Sequence, residues 1–262
     1  MSAAPYTPAE RVLAIIPARY GSSRFPGKPL ALLLGKPMIC HVVERMTRAA
    51  GIDRVLVATD DERIAEAVRA HGGEVALTGA YETGTDRVAA VAEQAGHTGP
   101  TDWVLNVQGD EPLIDPADVS RLVAARHASP DVRMATLVYP IRSEREYRDP
   151  HIVKVVLDQA RRAMYFSRAA IPHHRDAPPG SDAVWQGAWR HLGVYLFRGD
   201  FLQAFRAIEP TPLALGESLE QLRALEHGHA IHCVEAHSLS PGVDVPDDLA
   251  HAEALLREQA GD

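Results

Sequence analysis

Val12-Leu13-Ala14-Ile15-Ile16-Pro17-Ala18-Arg19-Tyr20-Gly21-Ser22-Ser23-Arg24-Phe25-Pro26-Gly27-Lys28-Pro29-Leu30 is the stretch that decides the fold. Its apolar run, Val12 to Ile16, has the pattern of a short buried strand. The loop behind it combines glycines and serines with the cations Arg19, Arg24 and Lys28. Glycine lets the backbone turn with its N–H groups inward, a nest suited to anionic oxygens. Arg19 and Lys28 are the first candidates for phosphate contacts, one as a two-oxygen clamp and the other as a point charge. Arg24 either shares this work or is a surface charge. The pattern reads either as a polyphosphate cradle or as a plain basic surface loop after a strand, and it is not a P-loop: five residues separate Gly21 from Gly27, and Pro29 stands where a magnesium-binding Ser or Thr would be. No G-x-G-x-x-G occurs in the chain.

Outward from this loop, strand-like and helix-like stretches alternate. Val55–Ala58, Glu74–Leu77 and Trp103–Val107 are β-type runs. Met38–Arg48, Glu62–Ala70 and Thr85–Gln94 carry apolar residues at helical spacing. Pro37 precedes one helix, and Gly51 and Gly72 follow helix ends, as capping chemistry prefers. Such alternation predicts right-handed βαβ units and a mostly parallel sheet. Ligands of such sheets bind beyond the carboxyl ends of the strands. The basic loop, the Thr59-Asp60-Asp61 turn and Gln108-Gly109-Asp110 all fall there.

The second half has longer polar intervals. Met134–Pro140, Ile152–Leu157, Ala163–Phe166, Leu192–Phe197 and 230–235 are strand-like. Pro172 to Gly187 is predicted to be a mobile loop, too polar and Pro-rich for the core. Helices are predicted over 217–227 and 246–259. The expected organisation is one domain over 1–262, with a nucleotide-binding half at 11–130. Residues 131–262 form the other half, an inserted β-rich layer for sugar binding and dimerisation.

The 262 residues, 46% apolar and 24% charged, suit one large α/β domain. No apolar run reaches the roughly 20 residues of a membrane span. Met1 to Glu10 lacks the regions of a signal peptide. Cys40 and Cys233 form no C-x-x-C, which fits a reducing cytoplasm. A net charge of −8 argues against a general nucleic-acid binder. His227, His229 and His232, and the pair His173-His174, lack the Cys or acidic partner of a zinc spacing. No nucleophile motif such as G-x-S-x-G occurs, which fits direct displacement.

Asp110 lies just past an apolar strand, where a carboxylate either holds Mg²⁺ against a triphosphate or serves as a solvated cap. Asp244, before Val-Pro-Asp-Asp, has the same two readings. Thr83, Thr85 and Arg87 precede a helix and fit an N-cap.

In order along the chain, these segments resemble the cytidylyltransferases that activate 3-deoxy-manno-octulosonate (Kdo), the CMP-Kdo synthetases. The likeness rests on Ile15–Leu30, Val57–Asp61 and Thr83-Gly84-Thr85-Asp86-Arg87, which is similar to their S-G-T-E-R. It continues through Asn106-Val107-Gln108-Gly109-Asp110-Glu111-Pro112, Lys154–Leu157, Tyr165–Pro172 and His191–Tyr195. Leu219–Arg223 and Gly242–Leu249 complete it, so that it covers nearly everything from Leu13 onward.

The resemblance implies a Rossmann-like nucleotidyltransferase. CTP, Kdo and Mg²⁺ would be its ligands, a homodimer its assembly, and lipopolysaccharide biosynthesis its setting. It pairs Asp110 and Asp244 as metal ligands and turns Arg19 and Lys28 to the triphosphate. Ala18, Arg24, Thr83, Thr85 and Arg87 would complete the nucleotide wall. Gln108, Arg168, His191, Tyr195, Glu220 and Gln221 match its sugar positions. Arg168 suits a 2-keto-acid carboxylate, and the others suit ring hydroxyls. His191 and Tyr195 also fit plain cross-strand packing, at i and i+4 on one strand face. The rivals are an enzyme for sialic acid, 8-amino-Kdo or a hexose 1-phosphate, and a non-catalytic nucleotide-binding regulator.

Overall fold

β1 (Arg11–Ala18) lies inside a nine-stranded sheet, with β2 (Arg54–Thr59) parallel on one side and β4 (Asp102–Asn106) parallel on the other. The computed structural model describes residues 10–21, 25–178 and 180–260. β3 (Glu74–Leu77) continues the parallel run beyond β2. On the other flank β8 (Trp189–Arg198) enters antiparallel between β4 and β5 (Met134–Pro140), and β9 (His232–Glu235) pairs parallel with β5. A hairpin of β6 (Lys154–Leu157) and β7 (Ala163–Ser167) joins the start of β8.

The apolar run of β1 does not alternate because both faces of the sheet are covered. Val12, Ala14 and Ile16 pack in one core with α1 (Met38–Arg48), α2 (Glu62–Ala70) and α4 (Pro116–Ala124). Leu13 and Ile15 pack in the other with α3 (Gly84–Gln94) and α6 (Gly199–Arg206). Each such fully buried Val, Leu or Ile side chain contributes about 1.5–3 kcal/mol. The N-cap expected at Thr83 is in place, accepting the Asp86 amide, and Asp61 and Asp115 likewise accept the amides of Arg63 and Ala117. Gly51 and Gly72 follow helix ends at φ +83° and +78°.

The helix predicted over 217–227 forms only in its second half. α7 (Pro212–Glu217) stops at Ser218, which turns left-handed at φ +52°, and α8 (Leu222–Glu226) restarts beyond it. Amphipathic spacing spans both pieces and hides the turn between them. That turn presents Ser218 and Glu220. α4, α6, α7 and the short α5 (Glu144–Arg148) were not predicted. The final helix, α9, runs Asp248–Ala260.

Candidate active site

The carboxyl ends of β1 and β4 open into one crevice. Its larger part, about 660 Å³, is walled by Ala18, Arg19, Tyr81, Thr83, Arg87 and Ser218, among others. A smaller hollow of about 180 Å³ adjoins it through Pro17, Ala18, Arg19 and Gln108, and ends at Lys28, Asp110 and Asp244. Two glycines permit this approach. Gly27 sits at φ +73°, and a Cβ there would lie 3.2 Å from the Tyr20 ring. A Cβ on Gly109 would lie 3.2 Å from the Pro17 carbonyl oxygen. Gly27 leads into a single helical turn over Lys28–Leu30, which aims Lys28 into the hollow.

Lys28 Nζ is 2.6 Å from Asp110 Oδ2 and 3.4 Å from Asp244 Oδ1. Two carboxylates far apart in sequence thus share one cation. This is a fit test for Mg²⁺, which takes one or two carboxylates and completes its shell with phosphate and water oxygens. Asp110 and Asp244 meet that requirement, and among the described residues no larger cluster of metal-ligating groups exists. Arg19 is exposed at the junction of the two hollows, with no hydrogen-bond or ion-pair partner among the described residues. Arg24 lies outside the described residues.

Asp244 is carried on a strap fastened by carboxylates. Asp118 accepts the amides of His237 and Ser238 at 2.7 and 3.1 Å. Ser238 Oγ reaches Asp115, and Ser240 Oγ reaches Glu111. The Val243 amide donates to the Asp110 carbonyl at 3.0 Å, tying the two carboxylate positions together. Burial, together with the Asp110 charge, pushes the Glu111 carboxyl up to about 8.

The nucleotide-side candidates divide. Ala18 and Thr83 line the crevice, and Thr83 also caps α3. Arg87 lines it but is only 4% exposed and is committed elsewhere. Its guanidinium pairs with Asp60 at 3.0 Å and donates to Thr78 Oγ1 at 2.9 Å. That bond holds the Asp60 carboxyl below its usual range. Thr85 is 2% exposed and sits behind the wall, its hydroxyl donating to Glu220.

On the sugar side, Gln108 lines both hollows. Arg168 is not among the residues lining either hollow; its Nε donates to the Glu217 carbonyl and its Nη1 to the Pro150 carbonyl. Its backbone is held too: Glu217 accepts the Arg168 amide, and the buried Lys154 ammonium donates to the carbonyls of Arg168, Asp149 and Ile152. His191 and Tyr195 share one face in a ring column with Phe166, at 5.0 and 5.3 Å between centroids. The β8 bulge between Leu192 and Tyr195 adds two residues, which preserves that face. Thr136 gives its proton to a carbonyl, so His191 Nε2, 3.0 Å away, is the donor of that pair. Burial holds the His191 ring neutral, its pKa pushed down to about 3. Gln221 is 2% exposed, and its Nε2 lacks a partner among the described residues.

A sequence profile of the family described as cytidylyltransferase matches residues 13–231. A relative from Syntrophotalea carbinolica, named 3-deoxy-manno-octulosonate cytidylyltransferase, is 52% identical over 94% of this chain and 98% of its own length. The chain belongs to the 3-deoxy-manno-octulosonate cytidylyltransferase family. A Geobacter metallireducens relative of the same name is 49% identical over 91% of this chain and 95% of its own. A solved CMP:2-keto-3-deoxy-manno-octonic acid synthetase in complex with CTP superposes with a TM-score of 0.87 at 41% identity, covering 95% of this chain and 99% of that one. A 4-diphosphocytidyl-2C-methyl-D-erythritol synthase, at 14% identity and TM-score 0.63, shares the fold over 94% of this chain and 99% of its own. The expected α/β sheet is the fold of this family.

Several residues that hold the crevice are found only in the structure. Asn106, Lys154, Glu217 and Asp118 received no role in the sequence, although Asn106 and Lys154 lie in quoted segments. Buried polar types inside apolar runs were the available signal.

Proposed function

We propose that this cytidylyltransferase transfers CMP from CTP to the anomeric C2 hydroxyl of Kdo, releasing pyrophosphate. The supporting observation is Lys28 poised between Asp110 and Asp244 beside the exposed Arg19, in one crevice that Ala18 and Thr83 also line. The triphosphate lies along the basic loop, with Lys28 and Arg19 taking charge on its non-bridging oxygens. Asp110 and Asp244 would hold Mg²⁺, which polarises the α-phosphate and lowers the pKa of the attacking hydroxyl. Gln108, at the junction of the hollows, and Glu220, behind it, orient the sugar. Arg168 meets its carboxylate once released from the carbonyls it now binds. His191, neutral, and Tyr195 support the sugar side from the ring column they form with Phe166. Positioning supplies the catalysis, and no covalent enzyme intermediate is needed.

The same reading makes the enzyme cytoplasmic, a homodimer, and a source of activated Kdo for lipopolysaccharide. Two free buried cysteines support the first. Apolar Met164 on β7 and Leu213 and Leu215 on neighbouring α7, exposed by 64%, 43% and 67%, support the second. Pyrophosphate release with CTP and either Kdo or sialic acid tests the substrate. Turnover with Kdo is expected, and equal turnover with sialic acid would refute the choice.

A further inference from the structure

Thr85 joins two of the sugar-side residues through the protein interior. Its hydroxyl donates to Glu220 Oε1. It accepts from Asn106 Nδ2 at 3.4 Å, and Asn106 Oδ1 accepts from Gln108 Nε2 at 3.3 Å. Asn106 is fully buried, and its sheet position is opposite Tyr195. Every donor points the same way, from Gln108 through Asn106 and Thr85 to a carboxylate. The second oxygen of Glu220 lies 3.7 Å from Arg223 Nη2, so the carboxylate is held from both sides. Of the four, only Gln108 lines the crevice; Thr85 and Asn106 are buried behind it, and Glu220 stands behind it with a side chain 32% exposed.

We propose that Thr85 and Asn106 are positioning residues for the acidic sugar: their relay fixes Gln108 and Glu220 and acts on the sugar half of the site. The inference rests on the reading that Gln108 and Glu220 contact Kdo. A carboxylate held in one orientation before binding loses less freedom when a hydroxyl arrives. Without the Thr85 hydroxyl, Asn106 Nδ2 and Glu220 Oε1 each lose a buried partner, and the two ends of the relay move independently.

Thr85→Val is close in shape and lacks the hydroxyl, whereas Thr85→Ser keeps it. With each substrate varied in turn, Thr85→Val is expected to raise the KM for Kdo roughly tenfold or more. Calorimetric CTP binding without sugar is expected to stay within about twofold, and Thr85→Ser within about threefold of wild type. If the valine variant fails a thermal-melting check, Thr85→Ala takes its place with the same expectation. Glu220→Gln separates the two ideas. If Glu220→Gln raises the KM for Kdo and a folded hydroxyl-free variant does not, the relay is overturned and the sugar assignment stands. Loss of CTP affinity in Thr85→Val would return Thr85 to the nucleotide wall and overturn the relay. An unchanged KM for Kdo in Glu220→Gln would remove the assignment and the relay together.

Discussion

Lys28 occupies the position from which a divalent cation would have to displace it. Its ammonium contacts Asp110 and Asp244 at 2.6 and 3.4 Å, and those side chains are 33% and 57% exposed. Ion pairs this open to solvent are worth about 0.5–1 kcal/mol each. A cation entering before the nucleotide therefore has to offset about 1–2 kcal/mol for the two together. Lys28→Met keeps a stem of similar length and removes the competitor. The free Lys28→Met protein should bind Mn²⁺ roughly five- to thirtyfold more tightly than wild type, which electron paramagnetic resonance titration measures directly. With CTP the sign reverses, because the variant has lost a charge facing the triphosphate, and its KM for CTP should rise. Equal or weaker Mn²⁺ binding by the variant would refute a cation site shared with Lys28.

Asp118→Asn turns one oxygen into a donor aimed at the amides of His237 or Ser238; it should cost about 2–4 kcal/mol in urea denaturation, and a loss below about 1 kcal/mol would sink the role of the strap. Lys154→Met leaves three carbonyls without their shared donor, so even after relief of the buried charge the loss should be about 2–4 kcal/mol, read from denaturation at unchanged m-value. His191 has its pKa depressed by burial to about 3, below the roughly 6.5 of an unfolded chain. The unfolded state then binds more protons between those values, so the stability from neutral His191 is present above about pH 6.5 and is lost as the pH falls toward 3. Denaturation midpoints of wild type should fall faster than those of His191→Asn from pH 6.5 to 4.5, by up to about 1.4 kcal/mol per pH unit, and parallel curves would contradict the burial of a neutral ring.

Much of the first half was legible because its signals are local. α1, α2 and β3 run over the predicted residues, since helical spacing, Pro37 at a helix start and glycines past helix ends all act within a few residues of one another. The unbroken apolar run of β1 announced a strand covered on both faces, and the loop chemistry behind it placed the crevice. What stayed hidden depends on distant partners. Arg87 could not be seen as the mate of Asp60, nor Thr85 as the mate of Glu220, because neither pairing leaves a trace in spacing. The break at Ser218 was hidden because serine rarely marks a left-handed turn. The strap was hidden because Asp115 and Asp118 look like ordinary first-turn acids of α4, and only the folded chain shows that Asp118 and Asp115 also hold residues 237 and 238.

The reversed direction of β8 has a consequence for how this enzyme could be redesigned. Tyr195 lies opposite Asn106 and Arg198 opposite Trp103, so the chain enters β8 at the ligand end of the sheet and leaves it at the far end. The connection from Ser167 to Trp189 therefore opens over the substrate side, while the turn into α6 is kept away from it. Residues added to that connection would lengthen a loop at a slowly growing entropic cost and leave the pairing of β8 intact. Substrate range can thus be varied by splicing between two fixed strand ends, without disturbing either core.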